Sequence, residues 1–203
     1  MKHVLVDDEP IKPSKIVCIG RNYVEHIEEL GNEVPEQMVV FNKPNCSLSD
    51  SLIATHDEPL HYEAELCLMV RDGQYAAAGV GLDLTKRALQ SQLKSKGLPW
   101  ERAKAFDGAA ILSSFISIDD NLDSLWFELW VDGTLRQQAD QQMMIYPPAV
   151  ILAELQQFTT LLDGDVVMTG TPKGVGQIES GQTFLVKLFA GDKLLLNHSW
   201  VAV

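Results

Sequence analysis

The chain has 203 residues, 46% of them hydrophobic, and a formal net charge of −12. That length suits one domain with a sizeable core. The acidic balance argues against nucleic-acid and anionic-membrane partners, which need excess Lys and Arg, but leaves room for an anionic small molecule met by a metal or a few placed bases.

No repeat, low-complexity tract or linker interrupts the sequence, so one continuous domain is expected over 1–203, with 1–14 as a short N-terminal extension. Cys18, Cys46 and Cys67 form no CxxC or CxxH pattern, which points to reduced thiols in a cytoplasmic protein. The N-terminal MKHVLVDDEP has no apolar signal region, and no stretch is long enough to span a membrane.

In chain order, KHVLV (2–6) and KIVCI (15–19) read as strands. NYVEHIEELG (22–31) reads as a short helix with Asn22 as N-cap, Gly31 as its stop, and Tyr23, His26, Ile27 and Leu30 on one face. VVFNK (39–43) is strand-like. HYEAELCLMV (61–70) reads as one strand, with His61, Glu63, Glu65, Cys67 and Met69 on one face and Tyr62, Ala64, Leu66, Leu68 and Val70 on the other. TKRALQSQLK (85–94) has helical composition. LWFELWVDGTLRQQA is a hairpin turning at Asp132-Gly133. PPAVILAELQQF (147–158) is a helix opened by proline, with Ile151, Leu152, Leu155 and Phe158 on its apolar side. DVVMTG (165–170) is a strand running into a glycine loop, and the C-terminal segment holds two strands joined at Gly191-Asp192. Strands dominate and helices do not alternate with them, so the class is α+β, mostly β.

Two carboxylates on one strand face, Glu63 and Glu65, lie roughly 7 Å apart along the chain. A cation would relieve their repulsion. A strand with a wet face is the other reading, although Cys67 and Met69 on the same face argue against it. Asp83 would complete an all-oxygen set suited to Mg²⁺, Ca²⁺ or Mn²⁺, or else cap the following helix. Arg21, Lys43 and Lys104 are candidate cations, or ordinary surface bases. His26 and Glu29, at i and i+3, are either a general base with its orienting carboxylate or a surface ion pair. In VVMTGTPKGVG (166–176) the Walker A spacing is absent, but loop amides and Thr171 can hold a carboxylate. No GxGxxG, GxSxG or HExxH is present.

IGRNYVEHIEELGN, VVFNKP, HYEAEL, GLDLTKRALQ, KGLPWERAKAFDG, QMMIYPPAVI and DVVMTGTPKGVG together resemble the fumarylacetoacetate hydrolase superfamily, in the family's order, from about residue 15 onward. The length is similar to the short members consisting of the catalytic domain only, among them acylpyruvate hydrolases and oxaloacetate decarboxylases or tautomerases. The resemblance implies a mixed β-sandwich or β-roll of the fumarylacetoacetase C-terminal-domain type, commonly a homodimer. It implies one Mg²⁺ or Mn²⁺ per chain on Glu63, Glu65 and Asp83. It places a His-x-x-Glu dyad at His26 and Glu29 on a lid helix, a catalytic lysine at Lys104, and substrate contacts at Arg21, Gln90 and Thr171. The implied chemistry is C–C hydrolysis of a small acylpyruvate- or fumarylpyruvate-like acid through a metal-stabilised enolate. Oxaloacetate tautomerisation or decarboxylation comes second, and a non-catalytic oxo-acid-binding protein third. Two departures stand out: Ala88 replaces the second Asp of the family's D-x-T-x-R-D-x-Q, which puts the support of Arg87 in doubt. The segment between Glu65 and Asp83 is also short, which puts one wall of the site in doubt.

Overall fold

The computed structural model describes residues 1–29, 36–118 and 122–203, without the side chains of residues 26–28. Its central sheet has the order Ala110–Leu112, Gln74–Asp83, Ala64–Arg71, Val166–Met168, Lys15–Gly20, Val39–Pro44, with Ile116–Ser117 also paired to Gln74–Asp83. Val166–Met168 runs parallel to Lys15–Gly20 and antiparallel to Ala64–Arg71, so the sheet is mixed. Ala64–Arg71 is central and buried on both faces except at Arg71. That explains its near-continuous apolar run.

A second, antiparallel sheet runs Thr134–Asp140, Leu125–Val131, Thr183–Ala190, Lys193–Val201. The alternation of Leu125–Val131 turns Leu125, Phe127, Leu129 and Val131 inward. They join Val186 and Leu188 and meet Leu66, Leu68, Val80 and Leu82 of the central sheet in one core. The mostly β, curled sandwich expected from the resemblance is therefore the observed architecture. Elsewhere on the central sheet, Val17, Ile19, Val70 and Val167 pack against Ile151 and Leu155 of the helix Pro148–Phe158. Ile16, Cys18, Cys67, Met69 and Met168 are covered by Val4 and Val6 of the N-terminal hairpin Val4–Val6/Glu9–Ile11.

Two short-range signals read from sequence, the Asp132-Gly133 turn and the proline-led helix, have their structural counterparts. Asp132 and Gly133 have φ of 48° and 74°, the two positive values a type I′ turn requires. The helix Pro148–Phe158 starts with proline in its first turn, and Ile151, Leu152 and Leu155 are buried. Phe158, expected on that buried side, is 61% exposed, because the helix ends there.

Three further readings change. HYEAELCLMV is not one strand: Glu58–Tyr62 belongs to a small sheet with Thr55–His56, Thr85–Lys86 and Gly176–Gln177, and the chain re-enters the central sheet at Ala64. The helix expected at 85–94 begins only at Arg87, so Asp83 ends a strand and caps nothing. The first helix is Val24–Glu29, and Asn22 is not its cap. The buried Asn22 side chain donates to the carbonyls of Tyr146 (3.0 Å) and Thr169 (2.8 Å) and accepts from the Tyr146 amide (2.7 Å). Leu30 and Gly31, and the side chains of His26 and Ile27, lie outside the described residues. Among the described residues, no helix is long and apolar enough to cross a membrane.

Candidate active site

The hairpin Ala64–Arg71/Gln74–Asp83 creates the site. It pairs Ala64 with Leu82 and Glu65 with Gly81, so the strand returns Asp83 to Glu63, whose carbonyl accepts the Asp83 amide at 2.9 Å. Glu63 sits at the break between strands and Glu65 just inside the sheet. One carboxylate oxygen from each of Glu63, Glu65 and Asp83 lies within 4.8 Å of the others, and all three residues are buried.

Buried carboxylates need partners, and the fold brings cations to them. Lys104, on the short helix Glu101–Lys104, donates to Glu63 Oε2 at 2.8 Å, Asp83 Oδ2 at 2.6 Å and Thr85 Oγ1 at 2.6 Å. Lys43 Nζ lies 2.7 Å from Asp83 Oδ1 and donates to the carbonyls of Lys104 and Ala109. The Lys43–Asp83 contact is Coulombic rather than a directed hydrogen bond, so buried Asp83 Oδ1 makes none. Arg87 pairs with Glu63 Oε1 and donates to Gln90 Oε1 at 2.8 Å. Glu65 Oε2 accepts the Gly170 amide at 2.6 Å.

Three cationic side chains thus answer three carboxylates, unevenly. Burial, then Asp83 and Glu63, push the Glu65 carboxyl well above the ordinary carboxylate range, and Lys104 and the Gly170 amide only partly oppose them. Burial works against the Lys104 ammonium, yet Asp83 and Glu63 outweigh it and hold its pKa above the usual lysine value.

The cleft above these groups is also lined by Arg21, Gln90, Lys94, Thr171, Phe41 and Trp100. Phe41 and Trp100 form a tilted aromatic pair, ring centroids 5.8 Å apart. Thr171 Oγ1 accepts from Gln137 Nε2 at 2.8 Å, and Gln137 also binds the Pro172 carbonyl (2.9 Å) and the Ala64 amide (2.9 Å). Gln137 therefore fastens the glycine loop to the strand that carries Glu65.

Of the residues singled out from sequence, Glu63, Glu65, Asp83, Lys104, Arg21, Gln90 and Thr171 come together in this cleft. Glu29 does not line it. Its carboxylate accepts the Gly174 amide at 3.0 and 3.2 Å, and Lys173 pairs with Glu25 at 3.1 Å, so the first helix rests on the glycine loop. The His26 imidazole lies outside the described residues. The two departures from the family pattern prove remote: Ala88 is exposed, Arg87 leans on Glu63 and Gln90 instead, and no residue of 66–82 lines the cleft. Sequence reading missed Gln137, Lys94, Phe41 and Trp100. For Gln137 a signal existed, a polar residue at an inward position of the hairpin, opposite Leu129.

Comparison with known proteins agrees with this fold. Oxaloacetate tautomerase YcgM of Escherichia coli (strain K12) is 40% identical over 205 residues, covering 92% of each chain. A structure described as a putative fumarylacetoacetate isomerase/hydrolase from Oleispira antarctica superposes with a TM-score of 0.93 at 33% identity over 100% of both chains. Fumarylpyruvate hydrolase from Pseudomonas aeruginosa, solved with Mn²⁺ and pyruvate, superposes with a TM-score of 0.87 at 28% identity over 100% of this chain and 97% of that one. The model of the fumarylacetoacetate (FAA) hydrolase C-terminal family matches residues 15–198, and the chain belongs to that family.

Proposed function

We propose that the protein is a divalent-metal-dependent enzyme that interconverts the keto and enol forms of oxaloacetate. One observation carries the reading: a buried triad of carboxylates beneath a cleft whose rim is cationic. Glu63, Glu65 and Asp83 fit a hard cation, since all donors are oxygen and buried Asp83 Oδ1 has no hydrogen bond to lose. When bound there, Mg²⁺ or Mn²⁺ would supply Lewis-acid polarisation of the substrate's 2-oxo group. The triad's own charge is already answered by Lys43, Lys104 and Arg87. An added divalent ion would therefore leave a surplus of positive charge for a dianion, which reconciles a chain of net charge −12 with an anionic substrate.

The side chains divide the work. Arg21 binds a substrate carboxylate. The Gln90 carbonyl oxygen accepts from Arg87, so Nε2 is the donor it offers to substrate. Thr171, seated by Gln137, fixes the loop end of the ligand. Lys104 stays protonated and steadies negative charge as it builds on the 2-oxygen. His26, with Glu29 as its partner, moves the proton between C3 and solvent. Phe41 and Trp100 keep water from that carbon. The enzyme acts in the cytoplasm as a homodimer of chains that are each one catalytic unit.

Identity with the E. coli tautomerase supports tautomerisation ahead of hydrolysis, reversing the order suggested by sequence alone. C–C hydrolysis of a fumarylpyruvate-like acid is the second reading, favoured by the likeness to the P. aeruginosa hydrolase. NMR of enol-oxaloacetate, acetylpyruvate and fumarylpyruvate with Mg²⁺ or Mn²⁺ separates them. Chelator-sensitive ketonisation of oxaloacetate without cleavage of the acylpyruvates is expected. Pyruvate released from an acylpyruvate would assign the hydrolase, and tight oxalate binding without turnover a binding protein.

A further inference from the structure

The helix Arg87–Ser95 presents Arg87, Gln90 and Lys94 to the cleft, at positions i, i+3 and i+7 of one face. Arg87 and Gln90 are engaged with each other and with Glu63. Lys94 has no place in the reading given above. A lysine in a helix's last turn ordinarily extends into water beside the negative end of the dipole. Lys94 instead is half-buried, while Ser91, Gln92 and Ser95 around it are exposed. Its ammonium is pushed below the ordinary lysine pKa by burial, and then by Arg21 and Arg87. Arg21, Arg87 and Lys94 all line the same cleft.

Arg21 lines the same cleft from a separate part of the chain, just after the strand Lys15–Gly20. Its φ of 57° lies in the left-handed region, which a glycine would adopt without cost. Holding a non-glycine residue there sets a long cationic side chain at the cleft. Two bases from separate elements thus converge above the carboxylate triad.

We propose that Lys94 and Arg21 form a receptor for the second carboxylate of a four-carbon 2-oxo dicarboxylate, and that Lys94 sets the preference for doubly charged ligands over singly charged ones. The inference rests on the oxo-acid reading of this site. With a divalent ion held by the triad, the ligand's 2-oxygenated carboxylate head would lie on that side and its distal end at the Lys94–Arg21 pair. An acyl group without charge would offer neither cation a carboxylate, which disfavours acylpyruvates with neutral tails relative to a dicarboxylate.

The test compares Mn²⁺-loaded wild type with Lys94→Met and Lys94→Arg by calorimetry, using malate and lactate as stable probes. The two share a 2-oxygenated carboxylate and differ in the distal carboxylate. Wild type should prefer malate. Lys94→Met should weaken malate roughly 10- to 100-fold and leave lactate unchanged, as for loss of one charged hydrogen bond, and Lys94→Arg should restore most of the preference. Equal weakening of both ligands, an unchanged malate-to-lactate ratio, or a wild type indifferent between them would overturn the proposal. If malate selectivity follows Lys94 while oxaloacetate is not tautomerised, the catalytic reading fails and the receptor stands.

Discussion

Lys104 and Asp83 share a hydrogen bond of 2.6 Å between side chains that are 2% and 1% exposed. The same ammonium reaches Glu63, so one lysine neutralises two members of the triad. Removing it leaves Asp83 with Lys43 and Glu63 with Arg87, a partial loss of pairing that costs up to about 3–5 kcal/mol, the value for a buried charge left without any partner. Lys104→Met should therefore lose stability of that order in urea unfolding without added metal, and millimolar Mg²⁺ should return much of it by neutralising the same oxygens. A variant as stable as wild type without metal would show that the pair contributes little.

Gly174 has φ of 98°, and a Cβ there would lie 2.1 Å from the Arg136 carbonyl oxygen. Its amide also holds Glu29. Gly174→Ala must push the glycine loop off the strand Thr134–Asp140 and release the first helix. The expected result is a fall in kcat/KM of at least about 10-fold, with destabilisation of about 1–3 kcal/mol. Proteolysis at the loop and steady-state kinetics check both.

Asp165 is buried and accepts from the Ser14 and Lys15 amides, the Ser14 hydroxyl, the Leu162 amide and the Lys15 ammonium at 2.6 Å. Burial alone would raise its pKa, but the Lys15 and Ser14 hydrogen bonds lead a set that outweighs it and lowers the pKa below the ordinary value. A depressed carboxylate stabilises the fold above its unfolded pKa of about 4, and that contribution is lost as pH falls through the folded value. Urea midpoints of wild type should thus decline on acidification below about pH 4 more steeply than those of Asp165→Asn. Parallel profiles would remove Asp165 from the acid response.

Ala88 is exposed and faces away from the cleft residues. Restoring the family's residue with Ala88→Asp should change stability by less than about 0.5 kcal/mol and kcat/KM by less than about twofold. A larger gain would mean that position 88 supports Arg87 after all.

What the sequence showed and hid follows from the range of each signal. Asp132-Gly133 and Pro148 act on their own neighbours, so the hairpin and the helix Pro148–Phe158 were legible. The three carboxylates were legible because alternation and a hairpin return need few residues to specify. A one-residue break at Glu63 leaves the alternation of HYEAELCLMV intact, so the change of sheet was invisible. Asn22 looked like a cap because caps are local, whereas its partners, Tyr146 and Thr169, are more than a hundred positions away. Lys43, Gln137 and Lys94 likewise owe their surroundings to long-range packing.

The central claim is that Glu63, Glu65 and Asp83 jointly hold the one divalent cation on which the chemistry depends. Calorimetric titration of Mn²⁺ into wild type and Glu65→Gln tests it most directly, because Gln can still accept the Gly170 amide while losing the charge. One ion per chain in wild type and at least about tenfold weaker binding in the variant, roughly 1.4 kcal/mol, is the predicted result. Unchanged Mn²⁺ affinity in Glu65→Gln, or no saturable binding to wild type, would contradict it.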